Sequence, residues 1–299
     1  MRVEPFFFAV LLTLGQAAQG ATTEHFLEHD GVKRRYVVYV PAAKEGSATP
    51  LAVVLNFHGG GGRAEGQMRS TGMNAVAERH GFITVYPDGT SAAGPFLTWN
   101  AGRCCAYAAR RKVDDVGFVR RLVAELGRSY KIDAARIYAV GHSNGGMLAY
   151  RLAAEASDLL AGAGIVSADL GIDGPPPKRP VPLIVFHGLK DRNVLWEGGM
   201  GPNQIDREPH RAIPETLRIW KAWNGCAPQP VKTETAADYV MERYEPPPGA
   251  AGAPIVLYKL PGGGHAWPGG TAVSSRLDLG PIVHSVDASE LIWRFFESL

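Results

Sequence analysis

Short apolar runs that alternate with segments of helical periodicity restrict the fold of this chain more than any other feature. Residues 51–57 form one such run, between Pro50 and a tract of glycines. A strand that is apolar on both faces has to be covered on both faces, which is typical of parallel sheets with helices on either side. The sequence therefore predicts an α/β fold with a mostly parallel central sheet and helices on both faces.

The predicted elements cover most of the chain. Strands are predicted over residues 33–40, 51–57, 82–86, 136–140, 161–166, 183–186, 239–244 and 255–260. Helices are predicted over residues 64–80, 114–130, 147–152 and 215–223, with a terminal helix after residue 287. Asp287 and Glu290 have the spacing of a capping box for that helix. A Gly- and Pro-rich stretch, residues 197–209, predicts a surface loop.

The N-terminus carries the only sustained apolar run, from Phe6 to Leu14, behind Arg2 and ahead of small residues. The run is too short to span a bilayer, and residues 18–20 fit a small-x-small cleavage site. We expect a signal peptide over residues 1–20 and a single catalytic domain over residues 21–299, because no linker divides the remainder. The mature protein is expected to be secreted or periplasmic, without membrane association.

Charge and cysteine content exclude other classes of partner. The chain has 31 Lys and Arg against 29 Asp and Glu, dispersed along its length, so no basic face is available for nucleic acid. No spacing typical of metal ligands occurs, and we expect no cofactor, no metal and a monomer.

In an oxidising compartment two of the three cysteines are expected to pair. We favour Cys226 with Cys104 or Cys105, since a bridge between neighbours closes a strained ring; three unpaired thiols are the alternative.

Residues 138–146, YAVGHSNGG, contain a G-x-S-x-G pattern centred on Ser143. A predicted strand precedes it and a predicted helix follows, which is the context of a serine nucleophile on a sharp turn. Gly141 and Gly145 would let the neighbouring backbone approach closely. The alternative is a serine in a purely structural turn.

A serine nucleophile needs a base, and the base needs an acid that holds its tautomer. Asp191 follows the strand predicted over 183–186, and His265 follows the strand predicted over 255–260. This gives the chain order Ser, Asp, His that α/β-hydrolases use. Asp169 and Asp173 are the runner-up acids.

The tract HGGGG, residues 58–62, directly follows the strand predicted over 51–57. Backbone N–H groups of such a tract can point at a developing oxyanion. We expect the donors to be the N–H of Asn144 and that of Gly60 or Gly61.

Six segments occur in a fixed order between residues 51 and 270: HGGGG, WNAGRCC, VDDVGF, GHSNGG, HGLKD and GGGHAWPGG. In this order they resemble the family of secreted polyhydroxybutyrate depolymerases and feruloyl or acetylxylan esterases, carbohydrate esterase family 1. The resemblance implies an α/β-hydrolase fold, with Ser143 as nucleophile, His265 as base and Asp191 as acid. We interpret Asp114 and Asp115 of VDDVGF as residues at the start of a helix.

The implied substrates are polyhydroxybutyrate-type oligomers or feruloyl and acetyl esters of plant polysaccharide. The absence of an evident linker and second module favours soluble oligomers or ester side chains. Trp99, Tyr107 and Trp267 are candidate walls for an acyl or aromatic group, with packing in the core as the alternative. Acyl transfer or peptidase action on the same triad, and a non-catalytic polymer- or carbohydrate-binding protein, are the competing functions. Whether residues 197–209 cover the site stays open.

Overall fold

The computed structural model describes residues 19–205, 208–272 and 278–299. The predicted signal peptide lies outside these residues, apart from residues 19 and 20. Within the described ranges, every helix is too short or too polar to cross a bilayer.

One sheet of ten strands forms the centre of the described protein, in the order β1-β2-β4-β3-β5-β6-β7-β10-β9-β8. The strands are β1 (Ala21–His29), β2 (Val32–Val40), β3 (Leu51–Phe57), β4 (Ile83–Pro87), β5 (Ile132–His142), β6 (Gly162–Val166), β7 (Leu183–Gly188), β8 (Lys232–Thr235), β9 (Val240–Tyr244) and β10 (Ile255–Leu260). The run from β4 to β10 is parallel, whereas β1, β2, β8 and β9 pair antiparallel at the two edges. The predicted α/β fold with a mostly parallel sheet is confirmed.

Helices cover both faces of the sheet. They are α1 (Ala64–Thr71), α2 (Met73–His80), α3 (Ala106–Arg110), α4 (Asp115–Ser129), α5 (Asn144–Glu155), α6 (Ile213–Trp223) and α7 (Ala288–Glu297). Buried side chains of α4, α5 and α6 belong to one hydrophobic cluster, and those of α2 and α7 belong to a second cluster on the opposite face. Strands β3, β6 and β7 are buried along their whole length between them.

Three local predictions differ from the structure. The single helix predicted over 64–80 is wrong, because Gly72 adopts a left-handed conformation with φ of 60° and separates α1 from α2. Strands β1 and β8 were not predicted, since most of their side chains are exposed and the sequence shows no apolar pattern there. At α7, Asp287 accepts a hydrogen bond from the N–H of Glu290 at 3.0 Å. This is one of the two hydrogen bonds that make up the predicted capping box.

Candidate active site

Ser143 lies on the tight turn between β5 and α5, as the sequence predicts. Its backbone has φ of 54° and ψ of −125°, a conformation that non-glycine residues rarely adopt. The N–H of Ser143 donates to the carbonyl of Val166 on the neighbouring strand β6 at 2.9 Å, and so ties the turn to the sheet. This strained, fixed backbone lifts the serine hydroxyl above the carboxyl ends of the parallel strands.

The two glycines of the motif are required by close backbone contacts. A Cβ atom on Gly141 would lie 2.2 Å from the carbonyl oxygen of Gly145. A Cβ atom on Gly145 would lie 2.3 Å from the carbonyl oxygen of Phe57, at the end of β3. Any larger residue at either position would therefore push α5 away from the sheet.

Ser143, His265 and Asp191 form a continuous hydrogen-bonded chain. His265 Nε2 lies 2.8 Å from Ser143 Oγ, and His265 Nδ1 lies 2.7 Å from Asp191 Oδ2. The other carboxylate oxygen, Asp191 Oδ1, accepts the N–H groups of Asn193 at 2.8 Å and Val194 at 2.9 Å. A neutral His265 that donates from Nδ1 to Asp191 offers its Nε2 lone pair to the serine hydroxyl.

Asp191 is held in the ionised state despite its burial. Its side chain is fully buried, and this burial opposes ionisation. The charge and hydrogen bond of His265 outweigh the effect of burial, so the pKa of the Asp191 carboxyl is lowered. The runner-up acids have other partners: Asp169 bonds His210 Nδ1 at 3.0 Å, and Asp173 pairs with Arg211.

The candidate oxyanion donors are resolved by their hydrogen bonds. The N–H of Gly61 donates to the carbonyl of Leu97 at 2.7 Å, so the expectation that Gly61 is available as a donor is wrong. Gly60 remains, and a Cβ atom added to it would lie 3.8 Å from Asn144 Cβ. Asn144 is the first residue of α5, where N–H groups have no acceptor within the helix. The N–H groups of Gly60 and Asn144 are therefore the suitable pair.

Trp99 is a structural residue, and its predicted role as a substrate wall is wrong. It is fully buried, and its main chain forms two hydrogen bonds with the Asn144 side chain. The Trp99 N–H donates to Asn144 Oδ1 at 2.8 Å, and the Trp99 carbonyl accepts from Asn144 Nδ2 at 3.0 Å. Its indole N–H donates to the carbonyl of His58 at 2.9 Å. Trp99 thus joins the start of α5 to the glycine loop, residues 58–62.

The other two predicted walls are also wrong. Trp267 is 4% exposed and donates from its indole nitrogen to Ser289 Oγ at 3.1 Å, so it packs against α7. Tyr107 lies on α3, outside the cleft described below. The position two residues after His265 therefore directs the Trp267 side chain towards α7 and not into the cleft.

Two histidines that the sequence interpretation did not use support the site. His58 is buried, donates from Nδ1 to the carbonyl of Gly59 at 2.8 Å and accepts the N–H of Gly89 at Nε2 at 3.0 Å. His142 Nε2 lies 2.5 Å from the backbone carbonyl of His265. Burial lowers the pKa of both rings to about 4, and for His142 the nearby His265 adds to the effect. The position of His142 next to the nucleophile is the one sequence signal that could have revealed it.

A cleft of about 280 Å³ opens above Ser143 and His265. The glycine loop and five residues of the following segment line it on the α1 face of the sheet, namely Arg63, Glu65, Gly66, Gln67 and Arg69. Cys104, Cys105 and Met147 line it on the α5 face. Gln204 and Ile205 also border it, so the loop predicted over 197–209 contributes to the wall of the cleft.

The cysteine pairing differs from the expectation. Cys104 and Cys105 form a disulfide with each other, whereas Cys226 is free and its Sγ donates to the carbonyl of Ala253 at 3.1 Å. Cys226 follows α6 and packs near the start of β10, while the adjacent pair lies at the cleft, with Cys104 Sγ 3.7 Å from Asn144 Nδ2. The preferred pairing through Cys226 is therefore wrong.

The two carboxylates of VDDVGF have separate roles. Asp114 caps α4 by accepting the N–H of Gly117 at 2.8 Å, as predicted. Asp115 is in the first turn but is fully buried, where it accepts from Arg34 at 2.9 Å and from the N–H of Asn100 at 2.7 Å. This ion pair fixes the loop that carries Trp99, a role the helix-start interpretation missed.

Comparisons with known proteins show that this chain is similar to esterases. The family described as esterase PHB depolymerase matches residues 34–172. A protein named NocK from Nocardia uniformis subsp. tsuyamanensis, whose name assigns it provisionally to the esterases, is 31% identical over 275 residues, which cover 85% of this chain and 76% of NocK. Feruloyl esterase B of Piromyces equi is 31% identical over 242 residues, 78% of this chain but only 42% of that relative. An acetyl xylan esterase structure from Aspergillus awamori has a TM-score of 0.58 at 16% identity, over 82% of this chain and 94% of the other, which shows a shared fold.

Proposed function

Because this chain belongs to the esterase PHB depolymerase family and is a carboxylic ester hydrolase, we propose that Ser143, His265 and Asp191 are its catalytic triad. The observation that carries the proposal is the unbroken hydrogen-bonded chain from Asp191 through His265 to a serine on a strained turn. The tautomer that this chain favours leaves the base ready to accept the serine proton.

In the first half of the reaction, Ser143 Oγ attacks the ester carbonyl while His265 Nε2 takes its proton. Asp191 stabilises the imidazolium ion that forms. Negative charge on the former carbonyl oxygen is stabilised by the N–H groups of Asn144 and Gly60, each such donor typically contributing about 3 kcal/mol. Collapse of the tetrahedral intermediate expels the alcohol, which receives the proton from His265.

In the second half, the acyl group is bound to Ser143 and water takes the place of the alcohol. His265 removes a proton from the water as it attacks, and the same oxyanion donors stabilise the second intermediate. The acid is released and the serine hydroxyl is restored.

The substrates we propose are polyhydroxybutyrate-type oligomers or feruloyl and acetyl esters of plant polysaccharide. The names of the family and of the related feruloyl esterase B support this range, although this chain spans less than half of that relative. We further propose one catalytic domain over residues 21–299, exported by the signal peptide over residues 1–20.

The test is hydrolysis of 4-nitrophenyl butyrate together with labelling by a fluorophosphonate. Ser143→Ala should abolish both, whereas Ser129→Ala, an exposed serine at the end of α4, should retain both. Steady-state rates on methyl ferulate, acetylated xylan and hydroxybutyrate oligomers then assign the substrate class. Retention of ester hydrolysis in purified Ser143→Ala would overturn the proposal.

A further inference from the structure

We propose that Arg63 and Arg69 form an anion-binding subsite in the cleft, which recognises a carboxylate on the alcohol part of the ester. This inference rests on the proposed function and concerns the substrate of the same site. It starts from two arginines that line the cleft above Ser143.

Both arginines are exposed. Within the part of the chain that the structure describes, neither guanidinium group has a carboxylate within salt-bridge distance. Two arginines close to them in the fold behave differently, because Arg34 pairs with Asp115 and Arg35 pairs with Glu65. An arginine that lacks an internal partner and faces a cleft is available to a ligand.

The other charged groups on this wall have hydrogen-bond partners of their own. Glu65 also lines the cleft, and its carboxylate bonds Arg35, which bonds Glu24 and Asp88 as well. His58 is buried, and its ring hydrogen bonds are those of the neutral form. The wall therefore presents two guanidinium groups that make no salt bridge to a described carboxylate, and a planar guanidinium matches a carboxylate with two parallel hydrogen bonds.

Hydrogen bonds also place this wall on the side of the leaving group. The segment that follows His265 returns to α1, where Thr271 donates its N–H to the carbonyl of Ser70 and its hydroxyl to the carbonyl of Arg69, both at 3.0 Å. Since His265 delivers its proton to the departing alcohol, the alcohol part lies on the His265 side of Ser143. Arg63 and Arg69 are therefore positioned for the alcohol part.

The opposite side of the cleft offers apolar surface that suits the acyl group. Met147 and the disulfide of Cys104 and Cys105 line it, and these side chains belong to the hydrophobic cluster on the other face of the sheet. The cleft thus runs across the carboxyl edge of the sheet, from a side with apolar surface to a side with two arginines. The alcohols that fit are those with a carboxylate, either a hydroxy acid or a sugar that carries a uronic acid.

The test compares two esters that differ only in charge. The carboxylate 3-butyryloxybutanoate and its amide, 3-butyryloxybutanamide, share the acyl group and the bond that breaks. We expect kcat/KM of the wild-type protein to favour the carboxylate by about tenfold or more. Arg63→Gln and Arg69→Gln should each lower this ratio, and Arg69→Glu should reverse it. Added salt should reduce the wild-type ratio, because exposed charges are screened.

Arg121→Gln is the matched control, because Arg121 is an exposed arginine on α4 that does not line the cleft. It should leave the ratio unchanged. A wild-type ratio near one both here and for the xylo-oligosaccharide pair below, or a ratio that survives both glutamine variants, would overturn the subsite while the esterase proposal stands. If neither ester is hydrolysed and fluorophosphonate fails to label Ser143, the proposed function itself fails.

A second pair of substrates distinguishes the two sources of carboxylate. Acetylated xylo-oligosaccharides with and without a uronic acid substituent present the same acetyl ester beside a charged or a neutral sugar. If the protein prefers the charged xylo-oligosaccharide and this preference depends on the arginines, the ligand is a uronic acid. If the arginine-dependent preference occurs only with the butyryl esters, the ligand is a hydroxy acid. Either result supports the subsite.

Discussion

Replacing Asp191 with asparagine turns one of the two carboxylate oxygens into an NH₂ group. The hydrogen-bond donors around the side chain decide which oxygen is replaced. Asp191 Oδ1 accepts two backbone N–H groups, from Asn193 and Val194. An amide NH₂ at that position would face both donors, so the asparagine oxygen has to stay there. Its NH₂ group then points at His265 Nδ1, where the carboxylate oxygen now lies 2.7 Å away.

The exchange forces the wrong tautomer of His265. With a donor opposite Nδ1, the ring must accept there and carry its proton on Nε2, which faces Ser143 Oγ. The base can then no longer take the serine proton. We expect kcat to fall by about 10⁴, the effect of the same exchange in other triads, which corresponds to about 5 kcal/mol of transition-state stabilisation. The two loop hydrogen bonds persist, so the variant should fold.

The assay is hydrolysis of 4-nitrophenyl butyrate at neutral pH, with circular dichroism to establish folding. Asp169→Asn is the matched control, since Asp169 is equally buried and also pairs with a histidine, but lies outside the chain from His265 to Ser143. A fall of less than about tenfold in Asp191→Asn, or an equal fall in Asp169→Asn, would refute the tautomer argument.

Three further predictions concern stability. Gly145→Ala introduces a Cβ atom 2.3 Å from the Phe57 carbonyl oxygen, so urea denaturation should show a loss of about 2–4 kcal/mol. Asn144→Ala removes both partners of the Trp99 main chain, and the same measurement should show about 2–4 kcal/mol; a loss below about 1 kcal/mol would contradict the role of this contact. His58 has a folded pKa of about 4 and an unfolded pKa of about 6.5, so the unfolded state takes up its proton first as pH falls. The free energy of unfolding should drop by up to about 3 kcal/mol between pH 7 and pH 4 on this account, and His58→Gln should lose that part of the pH dependence.

The central sheet and the order of the triad were predictable because each depends on signals that are local in sequence. Continuous apolar runs indicate strands buried on both faces, and β3, β6 and β7 are such strands. The carboxyl ends of parallel strands share one edge of the sheet. Residues that follow β5, β7 and β10 therefore come together there, which brings Ser143, Asp191 and His265 within hydrogen-bonding distance.

The predictions that failed depend on contacts between distant parts of the chain. Gly61 looked equivalent to Gly60 until Leu97 proved to accept its N–H. Trp99 and Trp267 lie near the motifs in sequence, but the direction of each side chain is set by its partners, Asn144 for one and Ser289 for the other. None of these pairings leaves a pattern in the sequence.

The cleft is bordered by residues from both faces of the sheet, and this position separates two kinds of evolutionary change. Substitutions around Met147 alter the pocket supported by α4, α5 and α6, whereas substitutions along α1 alter the wall on the other face of the sheet. The sheet lies between the two sets of residues, so repacking one face leaves the other undisturbed. With the acyl and alcohol sides as we propose them, a lineage with this architecture can change the acid that it releases and the alcohol that it accepts in separate steps, while Ser143 and its turn stay the same.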